Sequence, residues 1–140
     1  MPRLAALILI LSGLAFIGFG LWFFHDPVGP LAGLGVGGAI DGTAIPVELR
    51  AFYGGGEIGL GGFLLMCAMR ADWFRPGLWL VLLVNGCTGL ARALALVASD
   101  GPVLPFFLAA LVWEFGLALL AVLALRRVRR EDRVASVDPG

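Results

Sequence analysis

Five ionisable side chains stand inside otherwise apolar stretches of this sequence: Glu48, Arg50, Glu57, Arg92 and Glu114. At a helix centre in lipid each costs roughly 2.5–3.5 kcal/mol on insertion scales, so such residues persist where they pair or face a ligand or a water path. A carboxyl can pass a proton, and a guanidinium can hold a polar partner in a fork of N–H donors. Little other chemistry is on offer. Cys67 and Cys87 form no C-x-x-C pair. The single His25 excludes a bis-His haem or a His-rich metal centre built from this chain alone. No nucleophile–base pair is evident, so no catalytic residue, metal ligand or cofactor is assigned.

Spacing groups the charges. On one apolar stretch Arg50, Gly54, Glu57 and Gly61 follow at steps of four, three and four, which places them on one helix face. On another, Asn85, Thr88 and Arg92 share a face by the same rule. With a rise of about 1.5 Å per residue, Glu57 lies roughly 15 Å from one membrane surface, Glu114 roughly 13 Å and Arg92 roughly 9 Å. The expectation is a polar site centred on Arg92, flanked by Glu57 and Glu114, with Arg50, Glu48, Tyr53 and Asn85 as further members. Two carboxyls against one cation leave one negative charge in excess, so one carboxyl keeps its proton. The competing interpretation is a polar clasp that only specifies which helices pair.

The elements that must carry these residues are membrane helices. The chain has 140 residues, 60% of them hydrophobic and 14% charged. A soluble domain carries about 25% charged residues and could not hide this much apolar surface at this length. Four stretches reach the roughly 20 residues that a spanning helix needs: about 4–24, 47–69, 77–98 and 105–125. The expected fold is an all-α four-transmembrane-helix bundle, one membrane domain over 1–140, with 126–140 as a basic and then polar tail. Pro46, Pro76 and Pro105 stand at helix starts, where a missing N–H is harmless. The first stretch is too long for the apolar core of a signal peptide and ends Leu21-Trp22-Phe23-Phe24 without a small-x-small cleavage site, so it is read as a retained span.

Orientation follows from arginine. Arg3, Arg70, Arg75 and the cluster Arg126–Arg133 fall on one side of a four-span topology, with His25, Asp26, Asp41 and Asp100 on the other. The positive-inside rule then puts both termini in the cytoplasm (N-in/C-in) and the chain in the bacterial inner membrane. The basic cluster abuts an apolar run, so its partner is the lipid bilayer and not nucleic acid. The outer linker 25–46 contains Gly33-Leu34-Gly35-Val36-Gly37-Gly38, a G-x-G-x-x-G match without the strand–turn–helix context of a dinucleotide site.

Small residues suggest where helices touch. Ala51, Gly55 and Gly59 recur every four residues, and Gly86, Gly89 and Ala93 follow a similar stripe. Both patterns predict close helix contact. A weak repeat pairs Ser12-Gly13-Leu14-Ala15 with Thr88-Gly89-Leu90-Ala91, and Glu57-Ile58-Gly59-Leu60 with Glu114-Phe115-Gly116-Leu117. It would make the two halves parallel duplicates of a helical hairpin.

The run Glu48-Leu49-Arg50-Ala51-Phe52-Tyr53-Gly54-Gly55, followed by Gly59-Leu60-Gly61-Gly62-Phe63-Leu64-Leu65, resembles a bacterial four-helix membrane family, domain of unknown function 4345. Arg75-Pro76-Gly77-Leu78, Gly89-Leu90-Ala91-Arg92, Asp100-Gly101-Pro102 and the Glu114 span fit the same order, over about residues 5–127. The resemblance implies the topology argued above and carries no activity. More loosely, the chain is similar to DoxX-like four-helix proteins, proposed redox accessories.

Three functional classes follow, in this order. The first is a non-enzymatic module that binds a small amphipathic ligand, or an accessory subunit, through Glu57, Arg92 and Glu114. The second is a small proton-coupled transporter working as a homodimer. The small multidrug transporters have this length and span number but keep their key Glu in the first span, which here carries no charge. The third is a membrane isomerase using carboxylates alone.

Overall fold

A computed structural model describes residues 2–35 and 37–137, and the side chains of these except at 2, 37 and 129–137. The described chain is about 85% helical, with no strand among the described residues. The helices are α1 (Pro2–His25), α2 (Gly29–Ala32), α3 (Gly37–Ile40), α4 (Ile45–Leu49), α5 (Glu57–Ala68), α6 (Phe74–Ala98) and α7 (Pro105–Val137). Four continuous helical runs are long and apolar enough to cross a membrane: Arg3–His25, Ile45–Ala68, Ala71–Ala98 and Pro105–Val128. In lipid no water satisfies a bare peptide group, so apolar stretches of this length close every hydrogen bond inside a helix.

The second run is not a uniform α-helix. Arg50–Gly56 is a π-helical turn that joins α4 to α5. It lies over Gly54, Gly55 and Gly56, whose lack of side chains removes the usual resistance to widening the helix. A 3-10 turn, Ala71–Trp73, leads into α6. Pro76 lies in the first turn of α6 and Pro105 begins α7, positions whose N–H has no intrahelical acceptor anyway. The linker between the first two spans is partly ordered by local polar contacts: the Asp26 carboxylate accepts the Gly29 N–H at 2.8 Å, ahead of α2. Gly35 and Gly42 take φ of 81° and 75°, values open to glycine at no steric cost.

Side-chain burial is inverted relative to a water-soluble protein. Large apolar residues face outward along every span, including Val97 at 87% exposed and Val112 at 75%. The buried set mixes small residues (Ala5, Ser12, Gly13, Gly89, Ala118, Ala121 and Ala124) with larger ones such as Leu9, Leu64, Leu78 and Val81. A helix that is apolar all round is built for lipid.

The chain forms two compact units, 10–66 and 1–9 with 67–140. In the first, α1 meets the second span along glycine. A Cβ on Gly13 would lie 2.9 Å from the Gly61 carbonyl oxygen, and one on Gly20 would lie 2.8 Å from that of Gly54. The two pairings have equal residue sums (13 with 61, 20 with 54), which is an antiparallel register with one contact every two turns. In the second unit α6 and α7 form an antiparallel hairpin, with Leu78, Val81 and Ala121 fully buried. There Gly77 lets α6 close on Cys67 and Leu9, each 2.8 Å from where its Cβ would be.

Among the described residues the stripe Ala51, Gly55 and Gly59 does not make the helix contact that its spacing suggests. All three are exposed; a Cβ on Gly59 would meet nothing within 4 Å, and one on Gly55 would meet only its own helix. The contact uses Gly54 and Gly61, because those face the bare backbone at Gly20 and Gly13; each residue turns the helix by about 100°, so Gly55 points elsewhere. In the other stripe Gly89 is at a contact, while Gly86 has open space beside it. The backbone of α7 continues unbroken to Val137. Arg129, Arg130 and Arg133 of the basic cluster have side chains outside the described set, as does Val36 of the glycine motif.

Candidate functional site

Arg92 and Glu114 meet across the α6/α7 hairpin. Arg92 Nε–H donates to Glu114 Oε2 at 3.0 Å and to Oε1 at 3.2 Å, and Nη2–H donates to Oε1 at 2.6 Å. A guanidinium edge therefore grips both carboxylate oxygens, the fork geometry that makes such pairs strong and directional. The Glu114 side chain is 8% exposed and that of Arg92 27%. The carboxylate is the buried member and the guanidinium opens outward.

The backbone prepares this contact. A Cβ on Gly89 would lie 3.2 Å from Glu114 Cβ and 3.3 Å from the Phe115 ring. The bare Gly89 thus lets α7 pass close to α6 at the level of Glu114. Arg92 follows Gly89 by three residues, about one helical turn, and its long side chain covers the remaining height.

The open side of the pair borders a groove of about 440 Å³ formed by residues of α6, α7 and the turn between them. Its walls are Arg92, Thr88, Ala95, Leu96, Ser99 and Phe107, among others. Thr88 Oγ1–H donates to the Val84 carbonyl at 2.8 Å and so offers an acceptor. Ser99 Oγ accepts the Gly101 N–H at 3.0 Å and keeps its own proton to donate. A groove of this size with apolar walls and a few polar groups spaced along them has the general form of a small-molecule site.

The remaining expected members stand as follows. Glu57 belongs to the other compact unit, at the start of α5. Its Oε2 is shut from solvent and has no hydrogen-bond partner among the described residues. Arg50 Nε–H donates to the Phe24 carbonyl at 3.1 Å, capping the carboxyl end of α1 where the helix dipole favours a cation. Tyr53 stacks on Phe23 with ring centroids 5.1 Å apart. Glu48 is exposed in α4. Asn85 is buried, but its Nδ2–H donates to the Val81 carbonyl at 2.9 Å, one turn back on its own helix, and it does not join Arg92.

Several residues escaped the sequence reading. Ser12 is fully buried with Oγ lacking a hydrogen-bond partner among the described residues. The seam Gly13, Gly20, Gly54 and Gly61 was findable, since each helix repeats glycine at seven residues. The hydroxyl and aromatic walls at Ser99 and Phe107 carry no signal of their own, because they come together through the α6/α7 turn.

No curated protein and no solved structure matches the chain. The sequence model of one family matches residues 4–125, almost the whole length of the four spans. With four membrane-length helices and that match, the chain belongs to the family described as Domain of unknown function (DUF4345).

Proposed function

We propose that this integral membrane protein is a non-enzymatic module that binds a small amphipathic molecule in the groove beside Arg92. The observation that carries this reading is the Arg92–Glu114 fork at the wall of a 440 Å³ groove. The pair neutralises itself, so a charged head group would have to compete with Glu114 for the guanidinium. An uncharged polar head, such as a carbonyl or amide, meets the Arg92 end with Thr88 about one turn away. An alkyl or ring body then lies along Ala95, Leu96 and Phe107. The pair also serves as the clasp that holds α6 to α7, and one geometry serves both purposes.

The site lies toward the outer half of the membrane in the orientation that arginine supports. Arg3, Arg70, Arg75, Arg126 and Arg127 lie at one end of the spans, with Asp26, Asp41 and Asp100 at the other. Both termini are then cytoplasmic, in a bacterial inner membrane. A reporter fused after Gly140 should be active on the cytoplasmic side, and activity on the far side would reverse the assignment.

Binding is tested with a diazirine-bearing decanamide photolysed against the protein in lipid nanodiscs. Peptide mapping should place the label on residues 88–107. Ala95→Trp, which fills the groove and leaves the ion pair intact, should remove that label without lowering the melting temperature. Label spread evenly over lipid-facing residues such as Val112 and Leu120, and indifferent to Ala95→Trp, would refute the reading.

A further inference from the structure

The last part of α7 carries the densest charge in the chain. Five of its ten cationic residues lie between Arg126 and Arg133, against two acids, Glu131 and Asp132. The backbone of α7 runs as one helix to Val137, so spacing fixes which of these positions share a face. Positions 126, 129, 130 and 133 follow the i, i+3, i+4, i+7 pattern of a single stripe. At about 100° per residue they fall within an arc of about 100°. Positions 131 and 132 fall outside that arc, each by about 60° or more. Glu131 stands four residues after Arg127, the spacing of a helical ion pair, so this acid is placed for the arginine that the stripe leaves out.

Height decides what such a stripe can meet. The apolar run of α7 ends at Leu125, so Arg126 stands at the rim of the hydrocarbon. At about 1.5 Å per residue, positions 129, 130 and 133 rise about 4.5, 6 and 10.5 Å beyond it. Head groups add about 5–7 Å to each side of the hydrocarbon core, and the field of an anionic leaflet reaches about one Debye length, roughly 8 Å, further. The whole stripe therefore stands in the negative layer of such a leaflet. A nucleic acid or an acidic protein could reach the stripe only by entering that layer against lipid phosphates of its own sign. Guanidiniums bind phosphate oxygens through paired N–H donors, and arginine clusters directly after a membrane helix favour anionic head groups.

We propose that the face of α7 formed by positions 126, 129, 130 and 133 is a docking surface for anionic phospholipids, which gathers their phosphates along one side of the helix. The surface is separate from the Arg92 groove and does not depend on the reading given to it. Its chemistry is that of a phosphate anion, so a free phosphate is the other source to be tested.

The test is native mass spectrometry of the full chain released from nanodiscs containing equal phosphatidylglycerol and phosphatidylcholine. The wild type should retain phosphatidylglycerol in preference. Each Arg near an anionic membrane surface is worth about a fivefold change, so Arg133→Gln should cut the preference about fivefold and Arg129→Gln with Arg133→Gln about twenty-five-fold. The exchange Arg130→Glu with Glu131→Arg keeps composition and net charge but puts an acid in the stripe. It should cut the preference at least as far as Arg133→Gln does. All these changes lie beyond the apolar run, so melting in phosphatidylcholine alone should match the wild type and show that each variant is folded. Equal retention of the two lipids by the wild type would overturn the proposal. An exchanged protein with wild-type preference would do the same, because charge number and not the helix face would then set it. In a parallel melting experiment, phosphatidylglycerol should stabilise the protein while inorganic phosphate at matched concentration should not. Equal stabilisation by inorganic phosphate would overturn the lipid assignment, as would loss of bound phosphatidylglycerol to a short single-stranded RNA added at matched phosphate concentration.

Discussion

The two compact units hold their helices by opposite means. In residues 10–66 the seam is backbone against backbone: Gly13 on Gly61 and Gly20 on Gly54, with Gly54 also 3.2 Å from Phe24 Cα at its Cβ position. In the α6/α7 hairpin a single glycine, Gly89, admits a side chain, and the forked Arg92–Glu114 pair supplies the direction. Lipid explains why both devices exist. Burying an apolar side chain between helices gains little when lipid is equally apolar, so helices associate through close van der Waals approach or through polar groups that lipid cannot satisfy. The contrast extends to the carboxylates. Glu114 is gripped by a cation, whereas Glu57, its counterpart in the repeated pattern, has a buried oxygen without a hydrogen-bond partner among the described residues. The repeat would place Phe16 of α1 where α6 carries Arg92.

That comparison is broken most sharply at Arg92. Arg92→Leu strands the Glu114 carboxylate and should lower stability by about 3 kcal/mol, the low end for a broken buried pair because Arg92 is partly exposed. Adding Glu114→Leu should restore most of the loss. Unfolding by sodium dodecyl sulfate in mixed micelles measures both, and simple addition of the two effects would mean the fork contributes no coupling.

Next in size is the glycine seam. Gly61→Ala would put a Cβ 2.5 Å from the Gly13 carbonyl oxygen, an atom of rigid backbone. The helices must part, at a cost of about 2 kcal/mol. The same unfolding titration should show this loss for Gly61→Ala, and a wild-type curve would put the contact elsewhere.

Glu57→Leu should act in the opposite sense to any loss at Glu114. It removes an unsatisfied buried oxygen, and the expected gain is about 1 kcal/mol. A destabilisation as deep as that of Glu114→Leu would show that a cation holds Glu57.

The smallest expected effect is at Gly59, two residues from Gly61. Its Cβ would enter open space, so Gly59→Ala should stabilise the helix by about 0.5 kcal/mol through lower chain entropy. If it destabilises instead, the exposed Ala51/Gly55/Gly59 face is occupied, and cross-linking between copies through a cysteine at Ala51 would identify a second chain there.

The sequence by itself determined the four spans, their helical state and the family. Length, hydropathy and the lack of charge suffice for that, because the bilayer leaves a long apolar segment no other way to satisfy its peptide groups. It also determined that Arg92 and Glu114 needed partners, since an unpaired charge in a span is too costly to persist. The tertiary structure decided which residues met. Four-residue spacing nominated Gly55 and Gly59, but contact in a helix pair depends on both surfaces, and the partner's bare backbone at Gly13 and Gly20 selected Gly54 and Gly61. The π-helical turn at Arg50–Gly56 lay outside any single-residue propensity, and it changes the phase from which every later face of that span is counted. The groove beside Arg92 arises in the same way, from the register of α6 on α7, and register is a property of two helices together that neither one's sequence contains.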